Sequence, residues 1–454
     1  MEGFALPDKI ILLFDCYSPE SRLLHESFLQ TGCDCIAVSL EENDFLPRNV
    51  FSVYDLFSRE GKIADENRGK PRFFNEIAVP DNWSIQAGDS TSGKITCMQE
   101  EKGKIWYLQG EKRFLVEAVD WYDRKGNVRF QDHYNRYGEN CARTVYDARG
   151  QALCKTRFSE SGKEILTENF MTGDMTLYVD GEMKLFRSKL DLLVYWFGRR
   201  GVDRNQIIYN SLSTPFFISN RLGGSEKKDI LFWQESVGEE IPGNMQMILN
   251  GASGRTERIM VQKRSAYEKL LELGADRNKI HKLGLIYRFQ KKNSHKPEAL
   301  ICTNSERIEH CEELIRALPQ MHFHIAAITT MSARLMELGN YENVSLYPGA
   351  VKEVQEELFR KCDYYFDINH GSEIISAVYQ AFLHNHLIFA FQETAHNREY
   401  VAEEQIYPVE AFDKMVLDVR EVLEDGKVMR RRLDKQRKYA MAESKKTYTD
   451  LLEL

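Results

Sequence analysis

The stretch Tyr122-Asp123-Arg124-Lys125-Gly126 is the first of four copies of one pattern in the first half of the 454-residue chain. Each copy has an aromatic residue, then Asp, Asn or Ser, then two residues and a Gly, at a period of twelve. The Asp, Asn or Ser side chain opens a tight turn, and Gly supplies the positive φ that ends it. The further copies are 134–138, 146–150, 158–162, a looser one at 170–173, and a last turn at Asp180-Gly181. Segments rich in β-formers separate the turns, so the pattern predicts a long antiparallel meander.

Polar residues dominate many of the predicted strands, as in 128–134 (Val-Arg-Phe-Gln-Asp-His-Tyr). One face of such a sheet can therefore pack on a core while the other meets water or a partner. Two interpretations stay open: a structural sheet with one solvent-exposed face, or a docking surface for a partner protein. The aromatic residues proposed for partner contact are Tyr122, Tyr134, Tyr146 and Phe158. Because strand register is undetermined, the sequence does not assign them to a face.

Composition excludes several classes of protein. The length suits two to four domains, and a net charge of −8 gives no general attraction to nucleic acid. Nine cysteines without a C-x-x-C pair indicate free thiols in a reducing cytosol and no zinc knuckle. The longest apolar run, 192–197, is too short to span a bilayer, and we expect no secretory signal.

The chain begins with a β-α-β pattern. Residues 9–14 and 35–40 are predicted strands, and between them Ser18 caps a helix that has Pro19 at its first position and ends at Gly32. The loop 15–17 after the first strand contains no glycine, so a dinucleotide site is not expected there.

An α/β rhythm returns after the meander, which we place at 94–186. A helix over 189–197 precedes strands at 207–209, 230–233 and 258–261, so the meander is inserted in the first α/β domain. A second α/β unit has strands at 299–302, 322–328, 344–347, 364–368 and 387–391, with helices at 306–318 and 373–383. The predicted boundaries are a first Rossmann-like domain (1–60 and 187–290), the insert (61–186), a second Rossmann-like domain (291–426) and a C-terminal basic helix (427–454). Ligands of two such domains bind in the cleft at the strand carboxyl ends.

The C-terminal segment 427–446 has nine basic and two acidic residues. It is either a solvated helix face packed on the body or a segment attracted to anionic lipid at the inner membrane face.

Two α/β domains, an inserted meander and a C-terminal helix together resemble a glycosyltransferase of the GT-B type. Segments 367–373 and 391–397 (Phe-Gln-Glu-Thr-Ala-His-Asn) resemble the accessory-Sec protein O-glycosylation family, as do 12–15 and 43–47. Within that family the chain is most similar to the glycosyltransferase-stabilising, acceptor-binding co-activator subunit. The resemblance implies a heterotetramer with a catalytic sister subunit. That subunit adds the first GlcNAc from UDP-GlcNAc to Ser/Thr of serine-rich repeat adhesins. It also implies a cytoplasmic location, with peripheral contact at the inner face of the cell membrane.

The donor site of such a transferase is predicted to be missing. Active members of the fold commonly carry Glu-x7-Glu in the second domain, but the partner position of Glu373 is Ala381, and aligning on strand 387–391 gives Gly371 and Tyr379. In the loop after strand 299–302, Ser305 is expected to cap a helix whose first turn contains Glu306 and Glu309, with Arg307 as the lone cation. Two carboxylates there would repel a diphosphate. We therefore predict no catalytic residue and no cofactor for this chain, with UDP-GlcNAc used by the partner.

Polar residues at two predicted strand ends of the second domain suit an extended Ser/Thr-rich peptide. The candidate acceptor-binding residues are Asn369, His370, Glu373, Glu393, His396 and Asn397. Loop and helix capping is the alternative for each. Two histidine pairs, His322/His324 and His384/His386, could suggest metal ligation, but neither has an evident third ligand. We therefore expect hydrogen-bonded histidines and no metal site.

Three functions remain open: a non-catalytic partner of a transferase, a catalytically active GT-B UDP-sugar-dependent protein glycosyltransferase, and a general chaperone for the adhesin. Donor binding by the chain alone separates the first two. Co-purification of a transferase at fixed stoichiometry separates the first from the third.

Overall fold

The computed structural model describes residues 9–58, 69–109, 114–179 and 181–454. Two compact units form: one contains the chain up to 261 together with 266–281, and the other contains 262–265 and 282–454. The first unit holds two sheets and the second unit holds one.

A seven-stranded sheet in the first unit has the order β17-β16-β15-β14-β1-β2-β3. Its strands are β1 (Ile10–Phe14), β2 (Cys35–Ser39), β3 (Val50–Ser52), β14 (Ile207–Tyr209), β15 (Asp229–Trp233), β16 (Thr256–Val261) and β17 (Ile280–Lys282). Pairing is parallel from β3 through β16. The order 3-2-1-4-5-6 is that of a doubly wound Rossmann sheet. Its strands are buried on both faces, as a parallel sheet between helices requires.

Helices α1 to α6 accompany this sheet. They are α1 (Pro19–Thr31), α2 (Val53–Ser58), α3 (Lys189–Arg199), α4 (Thr214–Arg221), α5 (Gly243–Leu249) and α6 (Arg264–Glu272). The predicted start and end of α1 are confirmed: Ser18 Oγ accepts from Ser21 N–H, and Gly32 takes a left-handed φ of 81°.

The inserted sheet is an antiparallel meander in which strands adjacent in sequence are adjacent in space. Its strands are β4 (Trp83–Ala87), β5 (Ser92–Cys97), β6 (Glu100–Tyr107), β7 (Val116–Tyr122), β8 (Val128–Tyr134), β9 (Asn140–Tyr146), β10 (Ala152–Phe158), β11 (Glu164–Asn169), β12 (Met175–Val179) and β13 (Glu182–Phe186). It begins at Trp83 and not at 94, because β4 and the first residues of β5 precede the predicted start.

The predicted turn chemistry is present. Asp123 Oδ1 accepts from the N–H groups of Lys125 and Asn127 at 2.8 and 3.0 Å, and Gly126 closes the turn with a φ of 85°. Asn135, Asp147 and Ser159 open the next three turns in the same way. The looser fifth copy opens at Asn169, one residue earlier than predicted, and the predicted turn residue Asp180 lies outside the described residues.

The meander packs on the first parallel sheet through apolar and charged contacts. Leu166, Met175 and Leu177 are buried in the same core as the strands of that sheet. Arg157 forms ion pairs with Glu42 and Asp44 beside it. Because both carboxylates lie in the loop after β2, the insert is tied to the sheet that encloses it.

The second unit has a six-stranded parallel sheet of order β20-β19-β18-β21-β22-β23. Its strands are β18 (Glu298–Thr303), β19 (His322–Ala327), β20 (Val344–Tyr347), β21 (Tyr364–Asp367), β22 (Leu387–Phe391) and β23 (Ile406–Tyr407). Helices of this unit are α7 (Cys311–Ala317), α8 (Ala333–Glu337), α9 (Lys352–Lys361), α10 (Ala377–Leu383), α11 (Phe412–Glu424), α12 (Gly426–Tyr439) and α13 (Lys445–Leu452). This strand order too is doubly wound.

The prediction of one C-terminal helix is wrong. α12 ends at Tyr439, and Ser444 caps a separate helix α13, because the intervening Ala442 forms a bridge with Leu285. Tyr448 in α13 is fully buried, and its hydroxyl donates to the Gly284 carbonyl at 2.6 Å. The C-terminal segment is therefore fastened to its own unit.

Candidate functional site

Three neighbouring strands of the second unit end at one edge of their sheet. β18 ends at Thr303, β21 at Asp367 and β22 at Phe391, and β18 and β22 each pair with β21. Parallel strands share their carboxyl ends, so the loops that follow them meet. All six candidate acceptor residues lie in two of these loops, within 369–373 and 393–397.

His396 is held by Asp367. Its Nδ1 lies 2.6 Å from Asp367 Oδ1, and its backbone N–H donates to Oδ2 at 2.7 Å. Its Nε2 donates to the Gly371 carbonyl at 2.6 Å. The hydrogen bond with Asp367 raises the pKa of His396 to about 9, so the ring is an imidazolium whose charge is offset by its neighbour.

Asn369 is buried at 2% exposure and bonds only within the chain. Its Oδ1 lies 2.8 Å from the Thr303 hydroxyl and accepts from Gly371 N–H at 3.1 Å. Its Nδ2 donates to Asn304 Oδ1 at 3.3 Å. A Cβ at Gly371 would lie 1.9 Å from that same Oδ1. Asn369 therefore ties two loops together and is not presented to a peptide.

Two more candidates also bond within the chain. His370 Nε2 bonds the Glu309 carboxylate, and Glu373 Oε1 accepts from Val378 N–H at 2.9 Å, in the first turn of α10. Ile375 and Ser376 lie between Glu373 and Val378. Each has a φ of 51°, a strained conformation for a residue with a Cβ. Glu393 is exposed and Asn397 is half-buried, and neither side chain has a hydrogen bond to another described residue.

The predicted helix start after β18 is wrong. α7 begins at Cys311, because Ile308 forms a β-bridge with Asn369 and Glu309 N–H donates to the Ile368 carbonyl. Ser305 is therefore no helix cap, and the first-turn carboxylates are Glu312 and Glu313. These, with Glu306 and Glu337, line a groove of about 570 Å³ in which Arg334 is the cationic lining residue.

The positions examined for a Glu-x7-Glu pair contain no second carboxylate. Ala381 is fully buried in α10, and the Tyr379 ring is tilted against the Tyr400 ring with centroids 5.0 Å apart. Asp367, which was not among the candidate residues, is the carboxylate that organises the edge. Its signal was its position as the last residue of a buried strand.

The paired histidines have ordinary partners. His386 Nε2 bonds the Phe359 carbonyl at 2.8 Å, and His324 lies between Glu298 and Tyr347. Within the residues that the structure describes, no group of three or more His, Cys, Asp or Glu is placed to hold a metal ion.

The four candidate aromatics of the meander do not form one surface. Tyr134 is buried at 7% exposure in a cluster with Ile77, Ile105 and Val119, so its proposed partner contact is corrected to a core role. The residues that cover it lie in the segment 72–79, which the sequence left irregular. Tyr122 and Tyr146 are half-buried. Burial is the main cause that raises the pKa of each hydroxyl, and the nearby Asp120 carboxylate adds to it.

The last two strands of the meander carry exposed apolar side chains. Phe158 is half-buried and lines a small cavity with Tyr54 and Arg157. In contrast, Tyr178, Met183 and Leu185 are 39%, 68% and 64% exposed. Sequence reasoning missed them, although the alternation of 182–186 (Glu-Met-Lys-Leu-Phe) contained the signal.

Comparison with known proteins places this architecture in a class. The chain is similar to a pneumococcal O-GlcNAc transferase, GtfA, solved in complex with UDP and GlcNAc, with a TM-score of 0.64 at 11% identity over 99% of both chains. That likeness shows the fold alone: a GT-B glycosyltransferase fold, as predicted. No helix in the described part of the chain is long and apolar enough to cross a membrane.

The chain belongs to the GtfB family of UDP-N-acetylglucosamine–peptide N-acetylglucosaminyltransferase stabilizing proteins. Family models match four segments: a GtfB N-terminal domain (11–57), a GtfB middle domain (83–187), a GtfB third domain (189–273) and a GftB/GlyA-F C-terminal domain (299–436).

Relatives of this family cover nearly the whole chain. The stabilizing protein of Streptococcus agalactiae is 37% identical over 98% of this chain and 99% of its own, and that of Streptococcus gordonii is 37% identical over 95% of each. A crystal structure of a GtfA/B complex bound to UDP and GlcNAc contains a chain with a TM-score of 0.78 and 36% identity, over 98% of this chain and 99% of that one.

Proposed function

We propose that this chain is the non-catalytic, stabilising and acceptor-binding subunit of a heteromeric protein O-GlcNAc transferase. A catalytic sister subunit uses UDP-GlcNAc and attaches the first GlcNAc to Ser/Thr of serine-rich repeat proteins. The names of the relatives support this role. The observation that carries it is the internal bonding of the carboxyl edge of the second-unit sheet.

A sugar-nucleotide site must balance a diphosphate with cations as the leaving charge develops. Here the loop after β18 and the first turn of α7 present Glu306, Glu309, Glu312 and Glu313. Arg307 is exposed, and the imidazolium of His396 is already paired with Asp367. Like charges about 4 Å apart cost up to roughly 4 kcal/mol at a protein surface, which corresponds to about a thousandfold in affinity.

Calorimetry with the purified chain and UDP-GlcNAc tests this proposal. We expect no binding at micromolar concentration, and transfer of labelled GlcNAc to a Ser/Thr-rich acceptor only when both subunits are present. The catalytic subunit alone is the matched control. Transfer by this chain alone would establish the alternative, an active UDP-sugar transferase.

The acceptor-binding role is assigned to the rim of the same edge. Glu393 and Asn397 keep free hydrogen-bonding capacity there, and His370 is exposed beside them. An extended Ser/Thr-rich peptide offers hydroxyl and backbone groups to such side chains. Replacement of Glu393 and Asn397 with Ala is expected to weaken acceptor binding about tenfold in a fluorescence assay. The same replacement at exposed Glu353 serves as the control.

The complex is proposed to be a heterotetramer in the cytoplasm, with peripheral contact at the inner membrane face. Basic side chains of α12 support the lipid contact: Lys427, Arg430 and Lys438 are exposed and form no ion pair with a described residue. Each is worth about 1 kcal/mol near an anionic surface. Vesicles with phosphatidylserine should retain the protein at low salt, and a triple change to Gln should release it; retention of the variant would contradict lipid contact.

A further inference from the structure

Two of the nine cysteines lie close together where the chain passes from α1 to β2. Cys33 follows Gly32, the residue that ends α1, and Cys35 is the first residue of β2. The Asp34 carbonyl between them accepts from Ile10 N–H at 3.2 Å, so the backbone here already pairs with β1. Side chains two positions apart on such extended backbone point to the same face. We call Cys33 and Cys35 the thiol pair.

The thiol pair lies on the side of β2 that faces α1. Cys33 Sγ is 3.6 Å from the Phe28 carbonyl oxygen of that helix, and Cys33 N–H donates to Thr31 Oγ1 at 3.2 Å. A side-chain hydrogen bond joins the two thiols. The Cα atoms of such residues are about 6.6 Å apart, which is within the range that a disulfide spans. A bond between the two sulfurs therefore requires little movement of the backbone.

The thiol pair is also accessible. Both thiols are partly exposed, and the largely exposed side chain of Asp34 turns outward to Lys9 Nζ, at 2.6 Å. The hydrogen bond with Cys35 lowers the pKa of the Cys33 thiol to about 7 and raises that of Cys35, so Cys33 is the thiolate near neutral pH. Three other cysteines are buried, and burial raises the pKa of their thiols: Cys302, Cys311 and Cys362. An accessible thiolate beside a second thiol is the arrangement typical of reversibly oxidised cysteines.

We propose that the thiol pair is a redox site that reduces a hydroperoxide and closes to a disulfide between Cys33 and Cys35. This inference is independent of the proposed function, which assigns no role to either residue. The substrate class is a small hydroperoxide, of which hydrogen peroxide is the simplest member. The fold supplies the attacking sulfur and the resolving sulfur on one face of one strand.

The reaction has two steps. The Cys33 thiolate attacks one oxygen of hydrogen peroxide and the O–O bond breaks, which leaves a sulfenic acid; the departing hydroxide takes up the proton that Cys33 released and becomes water. The Cys35 sulfur then attacks Cys33 Sγ. The S–S bond forms, the S–O bond breaks, and the second hydroxide leaves as water with the Cys35 proton. Two thiols thus lose two electrons and two protons, and a dithiol reductant restores them by exchange.

Peptide mapping of the purified, reduced full chain tests the proposal. Trypsin cleaves after Arg22 and Arg48, so one peptide, 23–48, contains both thiols and no other cysteine. After hydrogen peroxide and then iodoacetamide, we expect this peptide without alkyl groups and about 2 Da lighter than its reduced form. Dithiothreitol should reverse the change. Cys97, which is also partly exposed, is the internal control and should still be alkylated.

Single variants separate the two roles. With Cys35→Ser the reaction should stop at the sulfenic acid of Cys33, which dimedone traps, whereas Cys33→Ser should give neither product. Cys97→Ser is the matched control and should react as the wild type does. In the untreated wild-type chain at neutral pH, iodoacetamide should alkylate Cys33 about tenfold faster than Cys97, because the thiolate is the nucleophile. This last measurement needs no variant to fold.

Three outcomes would overturn the inference: a peptide 23–48 that stays fully reduced in hydrogen peroxide, equal alkylation rates of Cys33 and Cys97, or a disulfide between two chains in place of the bond within one chain. None of them bears on the proposed function, because the stabilising role uses neither thiol.

Discussion

The carboxylate of Asp367 holds both the ring and the backbone of His396, with one oxygen 2.6 Å from Nδ1 and the other 2.7 Å from the N–H group. Asp367 is 2% exposed, so the pair is a largely buried connection between the ends of β21 and β22. It fixes the loop 393–397 on which the proposed acceptor contacts lie.

Stability should fall with rising pH because of this pair. Asp367 raises the folded-state pKa of His396 from 6.5 to about 9, so the contribution is complete below pH 6.5 and is lost as pH rises through 9. After solvent screening it amounts to roughly 1–2 kcal/mol. Urea unfolding at pH 6.5 and 9.5 should show this loss in the wild type and not in His396→Gln. An equal pH dependence in both proteins would contradict it.

Arg136 should be essential for attachment of the meander. Its Nη1 donates to the Leu46 and Pro47 carbonyls at 2.6 and 2.5 Å, and its Nη2 lies 3.3 Å from Asp55, with both side chains 8% exposed. Arg136→Ala removes the ion pair with Asp55 and the hydrogen bonds to these carbonyls from a buried site, so we expect a loss of about 3–5 kcal/mol in the free energy of unfolding. Arg149→Ala, in an exposed turn of the same sheet, should change it by less than about 0.5 kcal/mol.

The effect of replacing Gly371 on the free energy of unfolding should depend on the side chain of Asn304. A Cβ at position 371 would meet Asn304 Oδ1 at 1.9 Å, so Gly371→Ala is expected to destabilise the protein by about 1–3 kcal/mol. Asn304→Ala removes the clashing atoms, and the double variant should recover at least half of that loss. Additive effects in this double-mutant cycle, measured by urea unfolding, would mean that the strain arises elsewhere.

The meander turns should differ in their need for glycine. At Gly150 the φ is 79° and no atom lies near an added Cβ, so Gly150→Ala costs about 1–2 kcal/mol through backbone strain. Gly138 has the same φ, but its added Cβ would lie 2.5 Å from the Lys70 carbonyl, so Gly138→Ala should cost more. Gly224→Ala, with neither constraint, is the control, and thermal melting gives the ranking.

The meander and the strands of both parallel sheets could be predicted because their signals are local. A turn such as 122–126 contains its own hydrogen bonds, and buried strands such as β22 are short apolar runs. β4 was not predicted, since five alternating residues (Trp-Ser-Ile-Gln-Ala) are a weak local signal and its position depends on pairing with β5.

The site was harder to predict because tertiary contacts override local signals there. Ser305 followed by acidic residues is a good helix start, but the β-bridge between Ile308 and Asn369 delays α7 to Cys311. In the same way, burial of Tyr134 depends on residues 72–79, more than fifty positions earlier in the chain. Neither contact has a counterpart in local sequence.

The position of the meander inside the first unit also determines the order in which the chain can assemble. Each meander strand pairs with the next strand along the chain, whereas Ile11 of β1 cannot pair with Ile207 until β14 has been synthesised. During synthesis the insert is therefore complete before the host sheet can close around β1. Low-contact-order segments fold first, and a long-waiting apolar strand is open to misassembly. We expect the nascent chain to depend on protection of β1 and β2 until translation has passed residue 209.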